Sequence, residues 1–568
     1  MNRLMKALLV GVLLLVLSLG AVQPTLAQDE PPQFPESHKD FLGGASYAAL
    51  FGLNAGPGEP GPHSSDTGTG RPPRVGPNTQ VNTLQSFFPA GLIGRSETTI
   101  AVSGNGNFLV AGWNDADGFC GSPFGAPCVA PPVPGLSGYG FSTDEGTTWT
   151  DAGAPFTFGS PAVMTRGDPS LAIGGQGNDV FYYANLGVFT SGPFAPPFPA
   201  PAGVTVHTGS FSGKNFTWNN AALIQSPNFP DDFLDKEHIT AQRSGNQDNV
   251  YVAVTNFVEV SGIPFFGFGQ IEAYNSQDSA ASFSRAVVQP DETISVAANT
   301  GIVNQGPMPA VGPDGTVYVA WERGWLFPLF QPNFPNGAVA PEIRVASSTD
   351  GGATWSPVAP GSSPSGANLV GTQVSDICSG ALFPPAGYNR GTTNDFPRIA
   401  VAQSGPDRGR VYVAYQDCRV ANGGPQSVTG GFGNPNTDVY VAYSDDKGAT
   451  WTTQLVAGGP NIQFWPTVSI QPGGNVDITY YEQTSGTPMV DVYWAQSVDG
   501  GATWETPVRV TEVSTNWATT FTNIMPNFGD YNTTVSAGNR LFATWADGRY
   551  GIPDVFFAKI LTIGKANR

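Results

Sequence analysis

The amino-acid sequence predicts an all-β protein, built as a single β-propeller of four-stranded antiparallel blades. The first reason is composition: only 12 % of the 568 residues are charged, whereas 72 are Gly and 51 are Pro. Such a composition favours strands and turns over helices. The second reason is a β-hairpin pattern that occurs seven times. The third is an eight-residue turn of the form Ser-x-Asp-x-Gly-x-Thr-Trp that recurs between the hairpins.

Each of the seven hairpins has two alternating strands around a turn of Gly, Asp or Asn. A second hairpin follows each of these, so that one repeat contains four antiparallel strands. The repeat recurs at intervals of roughly seventy residues, which is typical of a propeller. Seven blades are therefore favoured, and six is the alternative if one hairpin is an insertion. The hairpins span residues 97–115, 168–185, 237–256, 308–323, 396–417, 465–482 and 530–547.

The last repeat lacks one strand, because only "DVFFAKI" (554–560) follows its hairpin. Ring closure protects sheet edges, so a strand from the N-terminal side is expected to complete the final blade. The segment "VNTLQSFF" (81–88) is predicted to be that strand, and residues 81–568 are assigned to the propeller. Residues 28–80, rich in Pro, Gly and Ser, are interpreted as a linker or arm.

Residues 1–27 have the pattern of a signal peptide. Arg3 and Lys6 precede an apolar run from Leu8 to Leu19, and small residues up to Ala27 form a cleavage site. No later segment is apolar enough to span a bilayer. We therefore expect a protein secreted to the extracellular space or the periplasm.

The cysteines indicate the compartment of the protein, and the net charge limits the classes of partner that it can bind. The four cysteines suit an exported protein, and the expected disulfides are Cys120–Cys128 and Cys378–Cys418. The formal net charge of −19 repels nucleic acid and anionic membranes at long range. A monomer without a nucleic-acid partner is expected.

The recurrent turn is predicted to be structural. Ser and Asp at a turn bond the local backbone, Gly takes a positive φ, and Trp buries a large ring between sheets. Weaker copies lie at 211–218 and 276–283. No cofactor is required, and a structural calcium ion at one of the aspartates is compatible with the sequence. The four complete copies, 142–149, 348–355, 444–451 and 497–504, contain Asp144, Asp350, Asp446 and Asp499.

These turns match the Asp-box, Ser-x-Asp-x-Gly-x-Thr-Trp, of the sialidase (neuraminidase) superfamily, and the resemblance covers roughly residues 81 to 564. It implies a β-propeller whose Asp-boxes lie away from the catalytic face. Because the turns share a face with the ends of the innermost strands, the opposite face carries the starts of those strands. That face also carries long Pro- and aromatic-rich insertions, and long loops on a rigid scaffold often carry function.

Polar residues concentrate at the same face in a chain that is poor in charge, which indicates a site for a polar ligand. The alternative is a ring of salt bridges and strand caps between blades. The group comprises Arg95, Glu97, Asp115, Arg166, Asp168, Asp235, Lys236, Glu237, His238, Glu322, Arg323, Asp395, Arg398, Asp417, Arg419, Trp465, Glu482, Asp530, Tyr531, Asp547 and Arg549.

The resemblance implies roles for part of this group, because sialidases use a tyrosine nucleophile with a glutamate partner, an acidic aspartate and three arginines against a carboxylate. Tyr531 is similar in location to the family tyrosine, and Arg95 to the arginine of the Arg-Ile-Pro motif, although this chain reads Arg95-Ser96-Glu97. The implied catalytic residues are Tyr531, Glu482, Asp115 and Asp530. The implied substrate-binding residues are Arg95, Arg323, Arg398, Arg419, Arg549 and Trp465.

Three functions follow as hypotheses. The first is a secreted, exo-acting glycoside hydrolase of sialidase type that acts on terminal sugars of extracellular glycans. The second is a non-catalytic extracellular propeller that binds a glycan or a protein partner. The third is a polysaccharide lyase on the same scaffold, with His238 or a tyrosine as base near an arginine or a metal.

Overall fold

The structure is a computed structural model. It describes residues 74–83, 94–116, 137–175, 179–189, 201–257, 269–295, 300–324, 341–378, 384–389, 393–418, 436–522, 524 and 526–562. The predicted signal peptide, most of the predicted arm, Cys120, Cys128 and Arg419 lie outside these residues. Within them the fold is all-β, and no helix occurs that could cross a membrane.

Seven antiparallel sheets form the blades of a propeller, which confirms the predicted class and blade count. Five blades have four strands, and blades 2 and 6 have five because two short strands pair with the same neighbour. The strands of the first three blades follow alternating apolar segments, as the hairpin pattern predicts. Blade 1 contains β2 (Arg95–Val102), β3 (Leu109–Asp115), β4 (Ser137–Ser142) and β5 (Thr150–Asp151). Blade 2 contains β6 (Val163–Thr165), β7 (Ser170–Gly174), β8 (Val180–Phe189), β9 (Pro201–Ser212) and β10 (Asn215–Ile224). Blade 3 contains β11 (Phe233–Ser244), β12 (Gln247–Phe257), β13 (Gln270–Ser276) and β14 (Ser284–Gln289).

The remaining blades repeat this order, with two small ribbons beside blade 4, β15 (Glu292–Ser295) with β16 (Thr300–Ile302) and β20 (Val358–Ala359) with β21 (Leu369–Val370). Blade 4 contains β17 (Asn304–Val311), β18 (Val317–Arg323), β19 (Glu342–Ser348) and β22 (Thr372–Asp376). Blade 5 contains β23 (Arg398–Val401), β24 (Val411–Asp417), β25 (Asp438–Ser444) and β26 (Thr452–Ala457). Blade 6 contains β27 (Ile462–Ile470), β28 (Val476–Gln483), β29 (Met489–Ser497), β30 (Val508–Arg509) and β31 (Thr515–Asn516). Blade 7 contains β32 (Thr533–Ala537), β33 (Arg540–Asp547), β34 (Asp554–Leu561) and β1 (Thr79–Gln80).

Each blade has one innermost strand, and these seven strands form a closed ring. Contacts run in order from β2 through β7, β11, β17, β23, β27 and β32 back to β2. Buried apolar clusters lie between successive blades, for example between blades 2 and 3 and between blades 7 and 1. The packing between sheets therefore holds the ring together, and a central channel runs along the inner strands.

An N-terminal strand closes the ring, as predicted, but it begins earlier than predicted. β1 pairs with β34 through Thr79 and Gln80, and Val75 forms a further bridge with Ile560. β1 begins before the predicted segment 81–88, and Val81, the first residue of that segment, continues the contact because its N donates to the carbonyl oxygen of Val555 at 2.8 Å. Residues 84–88 lie outside the described part of the chain.

The four complete turns share one set of hydrogen bonds. In the copy at 348–355, Ser348 Oγ donates to Asp350 Oδ1 (2.7 Å) and accepts from Gly352 N (2.8 Å), while Thr354 donates from N and Oγ1 to the two oxygens of Asp350. The same bonds recur in the other three copies. Donation from Thr354 lowers the pKa of Asp350 to about 2. These aspartates therefore act within their own turns.

The two weaker copies behave differently. In 276–283, Ser276, Asp278 and Ser282 make the same bonds, and Ala280 takes the position of the glycine with a φ of 66°. The segment 211–218 is instead the tight hairpin between β9 and β10, paired from Ser212 and Asn215 onward. The interpretation of 211–218 as a turn of the same type is wrong, since it has no aspartate to bond the turn.

Candidate active site

The inner strands share a kink near their first residues. In β2 the ladder to β3 passes from Ser96 to Thr99, and Glu97 between them has a φ of 51°. Asp168 and Lys236 occupy the matching places of blades 2 and 3 with φ of 53° and 52°. A positive φ is uncommon for residues other than glycine, and bulges of this kind redirect side chains. The kinks lie at the face opposite the recurrent turns, and we call this end of the channel the channel mouth.

Lys236 joins three carboxylates from three other blades at the channel mouth. Its Nζ lies 2.6 Å from Asp168 Oδ2, 3.2 Å from Asp530 Oδ2 and 3.5 Å from Glu97 Oε1. The side chains of Asp530 and Glu97 are buried, whereas that of Asp168 is 15 % exposed. Asp168 is therefore the carboxylate of this cluster that reaches solvent.

The members of the cluster differ in their affinity for protons. Burial, followed by the charge of Asp168, raises the pKa of Glu97 well above its ordinary value. Burial alone would lower the pKa of Lys236, but Asp168, Glu97 and Asp530 hold it well above its ordinary value. A proton-holding acid thus lies beside a carboxylate that a cation stabilises. Pairs of carboxyl groups in such contrasting environments are suited to acid–base chemistry.

Asn114 fixes the relative position of the two carboxyl groups. Its Nδ2 donates to Glu97 Oε2 at 2.9 Å, and its Oδ1 accepts from the backbone N of Asp168 at 2.8 Å. Both atoms of one amide therefore bind the two kinks. This contact connects blade 1 to blade 2 at the point where their acids meet.

Tyr388 contacts the cluster from a segment outside the blades. Its hydroxyl donates to Asp530 Oδ1 at 2.5 Å and also lies 3.2 Å from the carbonyl oxygen of Gly529. Its ring packs edge-on against Trp465 and Phe528. Tyr388 could not be predicted as a site residue from the sequence, because this tyrosine lies in a connection between blades and belongs to no motif.

Tyr531 lies deeper and is fully enclosed. Its hydroxyl donates to the carbonyl oxygen of Pro169 at 3.0 Å, and burial raises its pKa well above the ordinary value. The guanidinium carbon of Arg398 lies 5.0 Å from the ring centroid of Tyr531, and His238 packs edge-on against the same ring. A neutral phenol that donates to a backbone carbonyl is not an activated nucleophile. The implied nucleophilic role of Tyr531 therefore does not fit its surroundings.

His238 is held as a neutral imidazole. Its Nδ1 lies 3.1 Å from the carbonyl oxygen of Pro307 and must carry the proton, while Nε2 accepts from Arg398 Nη1. Burial and then the charge of Arg398 lower the pKa of His238 well below its ordinary value. Burial lowers the pKa of Arg398 to about 10.

The predicted mouth arginines do not converge on one ligand. Arg95 pairs with Asp115 at 3.4 Å and Asp554 at 3.7 Å, and Arg323 pairs with Glu292 at 2.7 Å and Glu342 at 2.9 Å. These are buried ion pairs within and between neighbouring blades. In addition, Arg549 pairs with Asp547 at 2.6 Å. Of the five predicted arginines, only Arg398 lies beside Tyr531 among the described residues.

The other predicted site residues lie in separate places. Glu482 accepts from Asn461 and Gln463 in blade 6, and no contact joins it to Tyr531 within the described residues. Asp115 accepts from Trp113 Nε1 at 3.0 Å and serves the ion pair with Arg95. Trp465 sits at the kink of blade 6 with a φ of 48°, buried beside Tyr388. Asp530 belongs to the lysine cluster.

The second predicted disulfide is present, between Cys378 and Cys418. Asp417 Oδ1 accepts from the backbone N of Cys378 at 2.9 Å. In the described part of the chain these three residues are the one group of potential metal ligands that lie close together, but both sulfurs are bonded to each other. The disulfide and this hydrogen bond thus connect the ends of β22 and β24.

This chain is similar in fold to several solved structures. No family model and no curated relative matches this chain. Similar solved structures include Trypanosoma rangeli sialidase in complex with the inhibitor DANA (11 % identity, 72 % of this chain, TM-score 0.38) and the GH93 α-L-arabinofuranosidase of Fusarium graminearum in complex with arabinobiose (11 % identity, 86 % of this chain and 98 % of that chain, TM-score 0.38). A PL25 ulvan lyase is also similar (10 % identity, 82 % of this chain and 94 % of that chain, TM-score 0.46). The chain spans 56 % of the length of the sialidase chain.

Proposed function

We propose that this protein is a carbohydrate-active enzyme that cleaves glycosidic bonds at the channel mouth, with Asp168 as the acid–base group. The observation that supports the proposal is the contact of one buried lysine, Lys236, with three carboxyl groups of contrasting environment. Of these, Asp168 reaches solvent, and Glu97 has a raised pKa that makes it a proton store beside Asp168.

The roles follow from burial and charge. Asp168 is the carboxyl group that can meet the glycosidic oxygen, because Glu97 and Asp530 are enclosed. The proton for the leaving oxygen comes from Glu97 and passes through Asp168, with which Glu97 shares a hydrogen bond, so that Glu97 ends as the carboxylate. Lys236 remains charged and keeps the cluster from accumulating uncompensated negative charge.

Asp530 also contacts Lys236 Nζ, at 3.2 Å, but it is enclosed, so Asp168 is the carboxyl group of this cluster that a substrate can reach. We propose terminal sugars of extracellular glycans as the substrates, reached after export through the signal peptide at residues 1–27.

The first experiment is a substrate screen with the purified full chain. Fluorogenic glycosides, sialosides and arabinosides included, report hydrolysis, and uronate polysaccharides report elimination through ultraviolet absorbance of the unsaturated product. We expect release of a sugar from at least one glycoside. Unsaturated product would support a lyase instead.

A non-catalytic glycan-binding propeller is the second candidate. The ion-paired arginines and the enclosed Tyr531 favour it, since these residues have structural partners instead of free functional groups. Absence of turnover on all substrates, combined with binding on a glycan array, would support this candidate and contradict the enzymatic one.

A further inference from the structure

We propose that Tyr388 is a positioning residue of the reaction, which acts through Asp530 and Lys236 on Asp168. The inference rests on the proposed glycosidic activity and adds to it a residue from outside the blade repeat. It depends on where the segment 384–389 lies, on how that segment is held, and on which atom the Tyr388 hydroxyl contacts. We call this segment the strap.

The strap contacts parts of the protein that are distant from it in the sequence. It lies between β22 of blade 4 and β23 of blade 5, yet its partners belong to blade 6 and to the connection between blades 6 and 7. Gln483, at the end of β28, exchanges two hydrogen bonds with the backbone of Ala386, both 2.9 Å long. A connection that only joined blades 4 and 5 would not need contacts so far around the ring.

A reciprocal pair of asparagines anchors the end of the strap. Asn527 N donates to Asn389 Oδ1 at 2.8 Å, and Asn527 Nδ2 donates to the carbonyl oxygen of Gly387 at 2.8 Å. Asn389 Nδ2 donates to the carbonyl oxygen of Ile524 at 2.8 Å. Gly387 has a φ of 87°, and a Cβ there would lie 2.6 Å from the backbone N of Ala518, so only glycine fits this close approach. The strap is therefore built to hold one position.

The position it holds brings the Tyr388 hydroxyl to Asp530. The 2.5 Å distance to Asp530 Oδ1 is that of a hydrogen bond to a charged acceptor. The other oxygen of Asp530 binds Lys236, and Lys236 binds Asp168. A continuous chain of contacts therefore connects the strap to the carboxylate that meets the substrate, and Tyr388 occupies its outer end.

Loss of the Tyr388 hydroxyl should affect Asp168, at the other end of this series of contacts. Without the donor from Tyr388, Asp530 keeps Lys236 as its main cationic partner and draws it away from Asp168. The changed position of Lys236 should therefore slow the chemical step at Asp168, while substrate binding, which does not involve Asp530 directly, should change little.

The test compares four proteins on the substrate found in the screen: wild type, Tyr388→Phe, Asn527→Ala and the matched control Tyr550→Phe. Tyr550 lies partly buried in the packing of blade 7. We expect Tyr388→Phe to lower kcat at least tenfold with KM within twofold. Asn527→Ala, which loosens the strap and leaves the hydroxyl in place, should change kcat in the same direction and less, and Tyr550→Phe should match wild type.

A wild-type kcat in Tyr388→Phe would overturn the proposal, as would equal losses in Tyr388→Phe and Tyr550→Phe. A readout independent of activity separates this inference from the proposed function. In protein with ¹³C-labelled aspartate carboxyl groups, the infrared spectrum should lose one strongly hydrogen-bonded carboxylate band in Tyr388→Phe. An unchanged spectrum overturns the positioning role. Loss of the band in a protein without turnover contradicts the proposed function alone.

Discussion

Lys236 of blade 3 and Asp168 of blade 2 form an ion pair at the channel mouth, with Nζ 2.6 Å from Oδ2. Both residues lie at kinks with positive φ, which aim their side chains into the channel. Strained backbone conformations of this kind persist where the surrounding structure enforces them, and they concentrate at functional sites. The buried acid Glu97 contacts the same lysine and therefore lies beside Asp168, which is partly exposed to solvent.

The stability of the fold should respond to pH through Glu97. Its pKa in the folded protein is raised well above the ordinary 4.5, so its contribution to stability is complete below about pH 4.5 and is lost as pH rises through the folded pKa. Glu97→Gln cannot ionise and removes this dependence. We expect the free energy of unfolding in urea of Glu97→Gln, relative to wild type, to increase from pH 5 to pH 8. An unchanged difference would contradict the raised pKa.

Tyr531→Phe should leave turnover nearly intact. The hydroxyl donates to the carbonyl oxygen of Pro169 in an enclosed position, so its loss should cost about 1 kcal/mol of stability. We expect kcat within about twofold of wild type, because no catalytic step is assigned to this group. Steady-state kinetics and urea unfolding measure both effects. A loss of kcat of about a hundredfold or more would restore the role that the family resemblance implies for Tyr531.

Arg323→Met should reduce stability and leave substrate affinity unchanged. The guanidinium contacts Glu292 at 2.7 Å and Glu342 at 2.9 Å, all of them buried. Removal leaves Glu292 enclosed without its paired cation, while Glu342 keeps Arg344 at 3.0 Å, and loss of one partner of a buried ion pair typically costs about 3–5 kcal/mol. Urea unfolding should detect this loss. An increased KM at unchanged stability would show instead that Arg323 binds substrate.

Ser348→Ala should weaken the fold from the opposite face. Ser348 Oγ accepts from the backbone N of Gly352 at 2.8 Å between two buried residues of the turn, and the variant leaves this donor without an acceptor. The expected cost is about 1–2 kcal/mol in urea unfolding. Activity at permissive temperature should equal that of wild type, and a specific loss of kcat would contradict the structural role of the turn.

The blade count could be predicted from sequence because its signals are local and repeated. Alternation, turn residues and the Ser-Asp-Gly-Trp turn each recur, so errors in one blade are corrected by the others. The errors occurred where one copy had lost its defining residue, as at 211–218, or where pairing depends on chain ends far apart in sequence, as for β1. Closure of the ring by an N-terminal strand was nevertheless predictable from the missing fourth strand.

The candidate site was predicted only in part. The polar residues at the starts of inner strands included Glu97, Asp168 and Lys236, but nothing local in the sequence indicates that the kinks of blades 1 and 2 meet the lysine at the kink of blade 3. Arginines beside them were equally prominent, and their neutralisation by Asp115 or Glu292 depends on contacts between strands or with a ribbon outside the blades. Tyr388 carries no signal, since its role depends on the path of the strap.

The turnover of Asp168→Asn, measured beside Asp445→Asn on the substrate that the screen identifies, tests the central claim most directly. Asp445 is an exposed aspartate of the opposite face, paired with Arg410, and controls for loss of a carboxylate as such. If the channel mouth is the active centre, Asp168→Asn loses at least about a hundredfold in kcat, as expected for removal of an acid–base group, while Asp445→Asn retains wild-type activity. Wild-type kcat in Asp168→Asn would contradict the assignment.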